Sequence, residues 1–264
     1  MVKIIFSDID GTLINDQLQV TQRTRDAIVS AVENGNLFVP VSARMPEAIK
    51  PIIRDFLPKT PIISYNGAYI QDENGQEIAS SPMATDTGIA ICRYLEKEHP
   101  GIAWNVYSGE KWLSQDRSNK WISREEDVVG ISSQEAVLDD LNSLREIHKL
   151  LLMGEPEEIL AVEAVLKQGY PELSISKSYP YYLEIMAAGI QKGRAVARLA
   201  DHYDATIQEA YAFGDNFNDL DMLEAVGNGY VMANGPEAVR QAIGKVTADN
   251  NNDGIADVLE EHLN

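Results

Sequence analysis

Cysteine is almost missing from this chain. Cys92 is the one cysteine in 264 residues, so no intramolecular disulfide can form and a reducing compartment is expected. Histidine is sparse: His99, His148, His202 and His262 are scattered, without the spacing of zinc ligands. No stretch approaches the ~20 consecutive apolar residues of a membrane-spanning helix. The apolar run near the N-terminus is short and broken by Asp8, unlike a secretion signal. A cytoplasmic protein is the expectation. Positive charge is also scarce, with 22 Lys and Arg against 41 Asp and Glu and a formal net charge of −19. Nucleic acid binding rests mainly on cations that neutralise phosphates, so nucleic acid is not an expected partner. An anionic membrane surface is disfavoured for the same reason. A small phosphorylated ligand stays open, because one metal ion and one lysine can reverse the field locally. Internal repeats and low-complexity segments are absent as well.

What is present suffices for a sizeable core and two domains: 264 residues with 44% apolar content. An apolar strand, Ile4-Ile5-Phe6-Ser7, opens the chain. Thr21 has the chemistry of a helix N-cap, and the helix over Gln22–Asn34 carries Ala27, Ile28, Ala31 and Val32 on one side before Gly35 ends it. Leu37–Val41 reads as a second strand, in which Pro40 predicts a local irregularity. Pro46 fits the first turn of a helix reaching about Phe56, Pro61–Tyr65 is a third strand, and Asn74-Gly75 is a hairpin turn. Strand, helix, strand, helix, strand at this spacing implies right-handed crossovers and a parallel sheet. Near Ser81-Pro82 the rhythm changes to a helix (Thr85–Glu98) and neighbouring alternating strands, an α+β pattern, and the α/β rhythm resumes at Gly189. The expected organisation is a core of residues 1–83 and 187–264 interrupted by an inserted domain over 84–186.

The first strand runs into Asp8-Ile9-Asp10-Gly11-Thr12-Leu13. Residues two apart on a strand share a side, so Asp8 and Asp10 start together. Two like charges this close repel unless a cation lies between them. The pattern reads as a Mg²⁺ site in which one aspartate is also a nucleophile; an acidic turn that only solvates a strand end is the alternative. A second acidic turn, Gly214-Asp215-Asn216-Phe217-Asn218-Asp219, follows the strand over Ala210–Phe213. Open α/β sheets bind ligands outside the carboxyl ends of their strands, where two such turns can meet. Asp8, Asp215 and a backbone carbonyl at Asp10 would suit a hard cation; alternatively the second turn only caps the next helix. Ser42 ends the second strand, where its hydroxyl and the N–H of Ala43 could hold a phosphoryl oxygen. Lys192, just inside a helix N-terminus, supplies a point charge at the same sheet edge.

Together, Asp8-Ile9-Asp10-Gly11-Thr12-Leu13, Ser42-Ala43-Arg44, Lys192 and the turn ending in Asp219 resemble the haloacid dehalogenase superfamily. The long insert between Ser42 and Lys192 resembles the type IIB cap of Cof-type sugar phosphatases, and Asn66-Gly67-Ala68 and Thr247-Ala248-Asp249 are similar to that family too. The resemblance implies a Rossmann-like parallel sheet core with an inserted α+β cap that closes over it. It implies Asp8 as the nucleophile that forms an aspartyl-phosphate, and Asp10 as the acid and then the base. It gives Lys192, Ser42, Ala43 and Asn218 to the phosphate, Asp8, Asp10 and Asp215 to Mg²⁺, and Asp219 to a metal water or Lys192. Arg44, Asn66 and Gly67 become substrate-pocket candidates. The expected activity is hydrolysis of small phosphorylated metabolites, sugar phosphates among them. A phosphosugar mutase and a non-enzymatic receiver switch that carries an aspartyl-phosphate are the alternatives. Ser42 stands where this family more often has threonine, and Ala43 where it often has glycine.

Three other patterns lead elsewhere. Asp249-Asn250-Asn251-Asn252-Asp253-Gly254, with Glu260 at the twelfth place, matches a calcium-loop pattern. However, Lys245-Val246-Thr247 is strand-like where that motif needs a helix, and the next helix starts too early. A polar turn with Asp253 capping the last helix is expected, with Asn250 facing the catalytic site as in the resembled family. Trp104, Tyr107, Trp112 and Trp121 read as half-buried sheet packing rather than a stacking platform. The first strand leads into Asp-x-Asp-Gly rather than a glycine-rich turn, so no dinucleotide site is expected.

Overall fold

A computed structural model describes residues 2–264. The chain divides into two compact units, Met1–Ser80 with Gln191–Asn264, and Ser81–Ile190. In chain order the first unit opens with β1 (Ile4–Ser7), α1 (Gln22–Glu33), β2 (Leu37–Pro40), α2 (Pro46–Ile53), β3 (Ile62–Ser64), β4 (Tyr69–Gln71) and β5 (Glu77–Ser80). The second unit holds α3 (Thr85–Glu98), β6 (Ala103–Ser108), β7 (Lys111–Ser114), α4 (Lys120–Val129), β8 (Gln134–Glu135), β9 (Lys149–Met153), α5 (Pro156–Gly169), β10 (Leu173–Tyr179) and β11 (Tyr182–Ala187). The chain returns through α6 (Lys192–His202), β12 (Tyr211–Gly214), α7 (Leu220–Ala225), β13 (Asn228–Met232), α8 (Glu237–Ile243), β14 (Val246–Thr247) and α9 (Gly254–His262). Met83 bridges antiparallel to Ile147, which ties it to the second unit although the α/β rhythm had suggested a boundary after it.

In the first unit a parallel sheet runs in the order β14-β13-β12-β1-β2. A parallel sheet is covered on both faces, so its strands are apolar throughout. Alternate residues accordingly enter different cores. Ile5, Phe38 and Phe213 pack with Ala27, Ile28 and Leu259 of α1 and α9, whereas Ile4, Phe6 and Val39 pack with Val196, Leu199 and Val239 of α6 and α8. Each fully buried Phe or Ile side chain contributes roughly 1.5–3 kcal/mol. Thr21 caps α1 through its side chain, as its chemistry predicts.

Pro40 causes no bulge; it lies in register opposite Ser7. The amide of Val41 donates to Ser7 O and that of Ser42 to Ile63 O. Successive amides therefore face opposite neighbours, and the missing amide of Pro40 falls on the outer side. There β3 joins only beyond it, through the parallel bridge of Val41 and Ile63. β3 otherwise belongs to the antiparallel sheet β3-β4-β5.

The second unit is built on one sheet of order β10-β11-β9-β6-β7-β8, antiparallel except for the short β7–β8 pairing. One face carries Trp104, Val106, Leu150, Leu152, Leu183 and Ile185 against Ile91, Cys92, Leu95, Ile159 and Val162 of α3 and α5. Trp104 is fully buried and its indole N–H donates to Glu96. Trp112 is also buried, donates to Asn105 and stacks on Tyr107, while Trp121 stacks on Tyr181. The whole is a mixed α/β fold with a parallel-sheet core. Among the described residues no helix is long and apolar enough to cross a membrane.

Candidate active site

The order of the parallel sheet locates the site. From β1 the chain adds β2 on one side and then, after the second unit, β12, β13 and β14 on the other. The crevice beyond the carboxyl ends of β1 and β12 is thus the topological switch point, the usual ligand position in such sheets. Asp8 follows β1 directly and its amide donates to Phe213 O of β12, which locks the two strand ends together. Asp215 follows β12 directly.

Four charged groups meet there. Lys192 Nζ donates to Asp8 Oδ1 at 2.5 Å and to Asp219 Oδ1 at 2.6 Å. The lysine is 1% exposed, and Asp8 and Asp219 are buried with it. Oxygens of Asp8, Asp215 and Asp219 all lie within 4.8 Å of one another. Thr12 Oγ1 donates to Asp215 Oδ1 at 2.8 Å. The second oxygen of Asp219 accepts the amides of Asp215 and Asn216, at 3.0 and 2.9 Å. Asp219 is therefore committed on both oxygens: it fixes Lys192 on one side and the loop carrying Asp215 on the other.

The charges do not balance. Three carboxylates face one ammonium, which leaves two negative charges uncompensated in a buried site. Burial raises the pKa of Asp8 well above the usual carboxylate range; Lys192 opposes this, and the like charges of Asp219 and Asp215 add to it. Burial also lifts Asp215 to about 6, with the Thr12 hydrogen bond pulling the other way. For Lys192, burial favours the neutral amine, but Asp8 and Asp219 together outweigh it and raise its pKa. A divalent cation bound by Asp8 and Asp215 would cancel the excess, and all-oxygen donors suit a hard ion.

Backbone conformation sets these distances. Gly11 has φ +81, and a Cβ there would lie 2.7 Å from Asp215 Oδ2. The turn after Asp8 therefore needs glycine both for its left-handed backbone and for the close approach of Asp215. Gly67 has φ +105, following Tyr65 and Asn66 at φ 51 and 53. A Cβ on it would meet Ala195 and the carbonyl of Gln191 at under 3 Å. The turn after β3 is thereby pressed against the start of α6. Its amides reach the other way: Tyr65 N–H donates to Arg44 O and Asn66 N–H to Ser42 O. This loop thus ties the end of β2 to the helix that carries Lys192. The side-chain oxygen of Asn66 is buried without a donor.

The structure brings Asp8, Asp215, Asp219 and Lys192 together, and it places the other predicted residues differently. β1 ends at Ser7, and Ile9 O accepts the amides of Thr12, Leu13 and Ile14 in a tight turn. The strand alternation that would keep Asp10 beside Asp8 is therefore broken, and the Asp10 carboxylate stays outside the buried cluster. Both its oxygens accept from Arg44, Nε to Oδ2 at 2.8 Å and Nη2 to Oδ1 at 2.6 Å. Arg44, expected to line a substrate pocket, is thus bound to Asp10. Ser42 is buried, and its Oγ accepts the Arg44 amide at 3.1 Å. Ala43 follows on the same half-buried turn. Asn218 is exposed on a single 3₁₀ turn, Phe217–Asp219.

The C-terminal polar turn is hydrogen-bonded to the loop that follows Asp8. Asn250 Nδ2 donates to Ile14 O, and its amide to Asn234 Oδ1; Asn234 Nδ2 in turn donates to Gly11 O at 2.8 Å. Asn250 and Asn234 brace the turn after Asp8 from behind. Asp253 occupies the N-cap position of α9, but its carboxylate accepts the hydroxyls of Thr21 and Thr24 on α1 instead of capping its own helix. Both hydroxyls meet its Oδ1, which thereby joins the start of α1 to the start of α9. Thr12 and Asn234 were not singled out from the sequence. Both follow strands of the parallel sheet, and that position was the available signal.

A family model described as haloacid dehalogenase-like hydrolase matches residues 5–259. A Haemophilus influenzae protein that bears a provisional phosphatase name is 39% identical over 261 residues, spanning 99% of this chain and 98% of that protein. The 5-amino-6-(5-phospho-D-ribitylamino)uracil phosphatase YwtE of Bacillus subtilis is 28% identical over 286 residues, spanning 99% of this chain and 98% of YwtE. The X-ray crystal structure of TM0651 from Thermotoga maritima superposes with a TM-score of 0.91 at 27% identity, covering 99% of this chain and 97% of that one.

Proposed function

The chain belongs to the haloacid dehalogenase-like hydrolase family, and from that premise we propose that it is a Mg²⁺-dependent phosphomonoester hydrolase working through an aspartyl-phosphate on Asp8. The observation that carries this reading is the buried contact of Lys192 with both Asp8 and Asp219, beside Asp215, at the switch point of the sheet. A buried lysine aimed at a carboxylate at the carboxyl edge of a parallel sheet fits phosphoryl transfer, where catalysis is mostly positioning and charge stabilisation.

The residues divide the work as follows. Asp8 Oδ1 is held by Lys192, which fixes the carboxylate's orientation toward phosphorus. Lys192 stays protonated and neutralises charge on the phosphoryl oxygens as they reorganise. Ser42, the Ala43 amide and Asn218 complete the phosphate contacts. Asp10 gives a proton to the leaving alcohol, then takes one from the attacking water; such a positioned group contributes typically ~10²–10⁴ in rate. Asp8 and Asp215, with the Asp10 carbonyl, would hold Mg²⁺, which when bound supplies charge neutralisation between nucleophile and phosphoryl group. Asp219 holds Lys192 and the Asp215 loop. The second unit is the type IIB cap, and residues outside it form the hydrolase core.

The substrates are small phosphorylated metabolites. Sugar phosphates and phosphorylated polyols of the kind named for YwtE are the first class to test. The experiment is a screen of phosphorylated metabolites for phosphate release with Mg²⁺, with Asp8→Asn as control. Release of phosphate by the wild type and none by Asp8→Asn supports the reading; equal release by both overturns the nucleophile assignment. Phosphate returned to the sugar without net release would favour the mutase, and a long-lived aspartyl-phosphate without turnover the receiver switch.

A further inference from the structure

The carboxylate assigned to acid–base chemistry is also the one held by a two-pronged guanidinium. Arg44 meets Asp10 with two nearly equal, short contacts, a planar fork on a carboxylate. The arginine is itself fixed at the backbone. Its amide donates to Ser42 Oγ and its carbonyl accepts from Tyr65, so the side chain starts from a pinned position at the end of β2. Arg44 is 21% exposed and Asp10 52%. An exposed, lone carboxylate would sample several rotamers; the fork restricts it to one plane.

We propose that Arg44 is a positioning residue for Asp10, and that it acts mainly in hydrolysis of the phosphoenzyme. This rests on the covalent reading given above. In that half-reaction a water proton passes to Asp10 while the water oxygen bonds to phosphorus. The P–O bond to Asp8 breaks and its electron pair returns to the Asp8 carboxylate. An ionised carboxylate has about four lone-pair positions, so one in a bidentate fork keeps outer ones for the water proton. In hydrolysis one small water must meet both Asp10 and phosphorus at a fixed angle, so a carboxylate freed from the fork should slow hydrolysis more than formation. With a good leaving group, which needs little protonation, the difference widens.

The test uses the full-length protein with Mg²⁺ and 4-nitrophenyl phosphate, following nitrophenolate (formation) and inorganic phosphate (hydrolysis) by rapid mixing. Wild type, Arg44→Ala, Arg44→Lys and Asp10→Asn are compared, with intact-mass detection of phosphoenzyme and a thermal melt of each. For Arg44→Ala we expect hydrolysis to fall by at least about tenfold, a fraction of the full acid–base effect. Formation should change far less, so a nitrophenolate burst and phosphoenzyme appear. Arg44→Lys, which keeps the charge without the fork, should lie between Arg44→Ala and wild type. An equal fall in both half-reactions, or a rise in KM alone, overturns the proposal and makes Arg44 a structural or substrate contact. Phosphoenzyme in Asp10→Asn but not in Arg44→Ala defeats this inference alone. Its absence from every variant and from a quenched wild type defeats the covalent reading instead.

Discussion

Mg²⁺ should stabilise this protein, and the stabilisation should depend on pH in a direction that the site dictates. Without metal, the folded state holds Asp215 at about 6 against an ordinary 3.8, and Asp8 is raised as well. Between those values the folded chain binds more protons than the unfolded chain. Stability of the metal-free protein therefore falls as pH rises from about 4 through about 6 on account of Asp215, and Asp8 acts in the same direction. Above that window Asp215 carries its charge beside Asp8 and Asp219, and a divalent ion that neutralises it finds its largest gain. At free Mg²⁺ near 100 times its dissociation constant the stabilisation is about 2.7 kcal/mol, which for a domain of this size raises Tm by roughly 5–10 °C. One pH unit below its pKa, Asp215 is mostly protonated, and Mg²⁺ must displace that proton. The apparent affinity then falls about tenfold, which removes about 1.4 kcal/mol. Calorimetric melts in EDTA and in fixed Mg²⁺ at pH 7.5 and pH 5 measure this directly. The Mg²⁺ shift should roughly halve at pH 5, and Asp215→Asn should abolish most of it at both pH values. A shift absent at pH 7.5, or undiminished in Asp215→Asn, would refute the metal assignment.

Two further outcomes follow from the same geometry. Lys192→Met removes the ammonium between Asp8 and Asp219; it should abolish phosphate release and cost about 3–5 kcal/mol in urea unfolding at neutral pH, as when one member of a buried pair is lost. Retained activity would place the phosphate elsewhere. Gly11→Ala forces a Cβ to within 2.7 Å of Asp215 Oδ2 on a backbone at φ +81; the half-saturating Mg²⁺ concentration for phosphate release should rise by tenfold or more while the fold is kept, and an unchanged Mg²⁺ titration would show that the approach of this turn to Asp215 is immaterial.

The sequence made much of this legible, because the fold converts strand ends into a site by a simple rule. The apolar runs over Ile4–Phe6 and Tyr211–Phe213 each precede an aspartate, and in a parallel sheet such ends share one edge. The α+β character of the insert showed in its closely spaced strands. Side-chain direction beyond the strand ends was not legible. Alternation put Asp10 beside Asp8, but the three amides that converge on Ile9 O end the alternation after one residue. Arg44 was a substrate-pocket candidate through the family resemblance; its fork on Asp10 joins residues 34 apart and had no signal in the sequence. Asp253 preceded a helix and so looked like its cap, while α1 offered two hydroxyls, Thr21 and Thr24, from far away in sequence. Pro40 suggested irregularity because a sequence does not reveal which edge of a strand lacks a neighbour.

The most direct measurement is the location of phosphate on the enzyme during turnover. Acid quench of the protein with Mg²⁺ and 4-nitrophenyl phosphate, followed by peptide mapping, should find an acyl-phosphate on Asp8 that hydroxylamine removes and that EDTA prevents. Phosphate on another residue, or phosphate release undiminished in Asp8→Asn, would contradict the account.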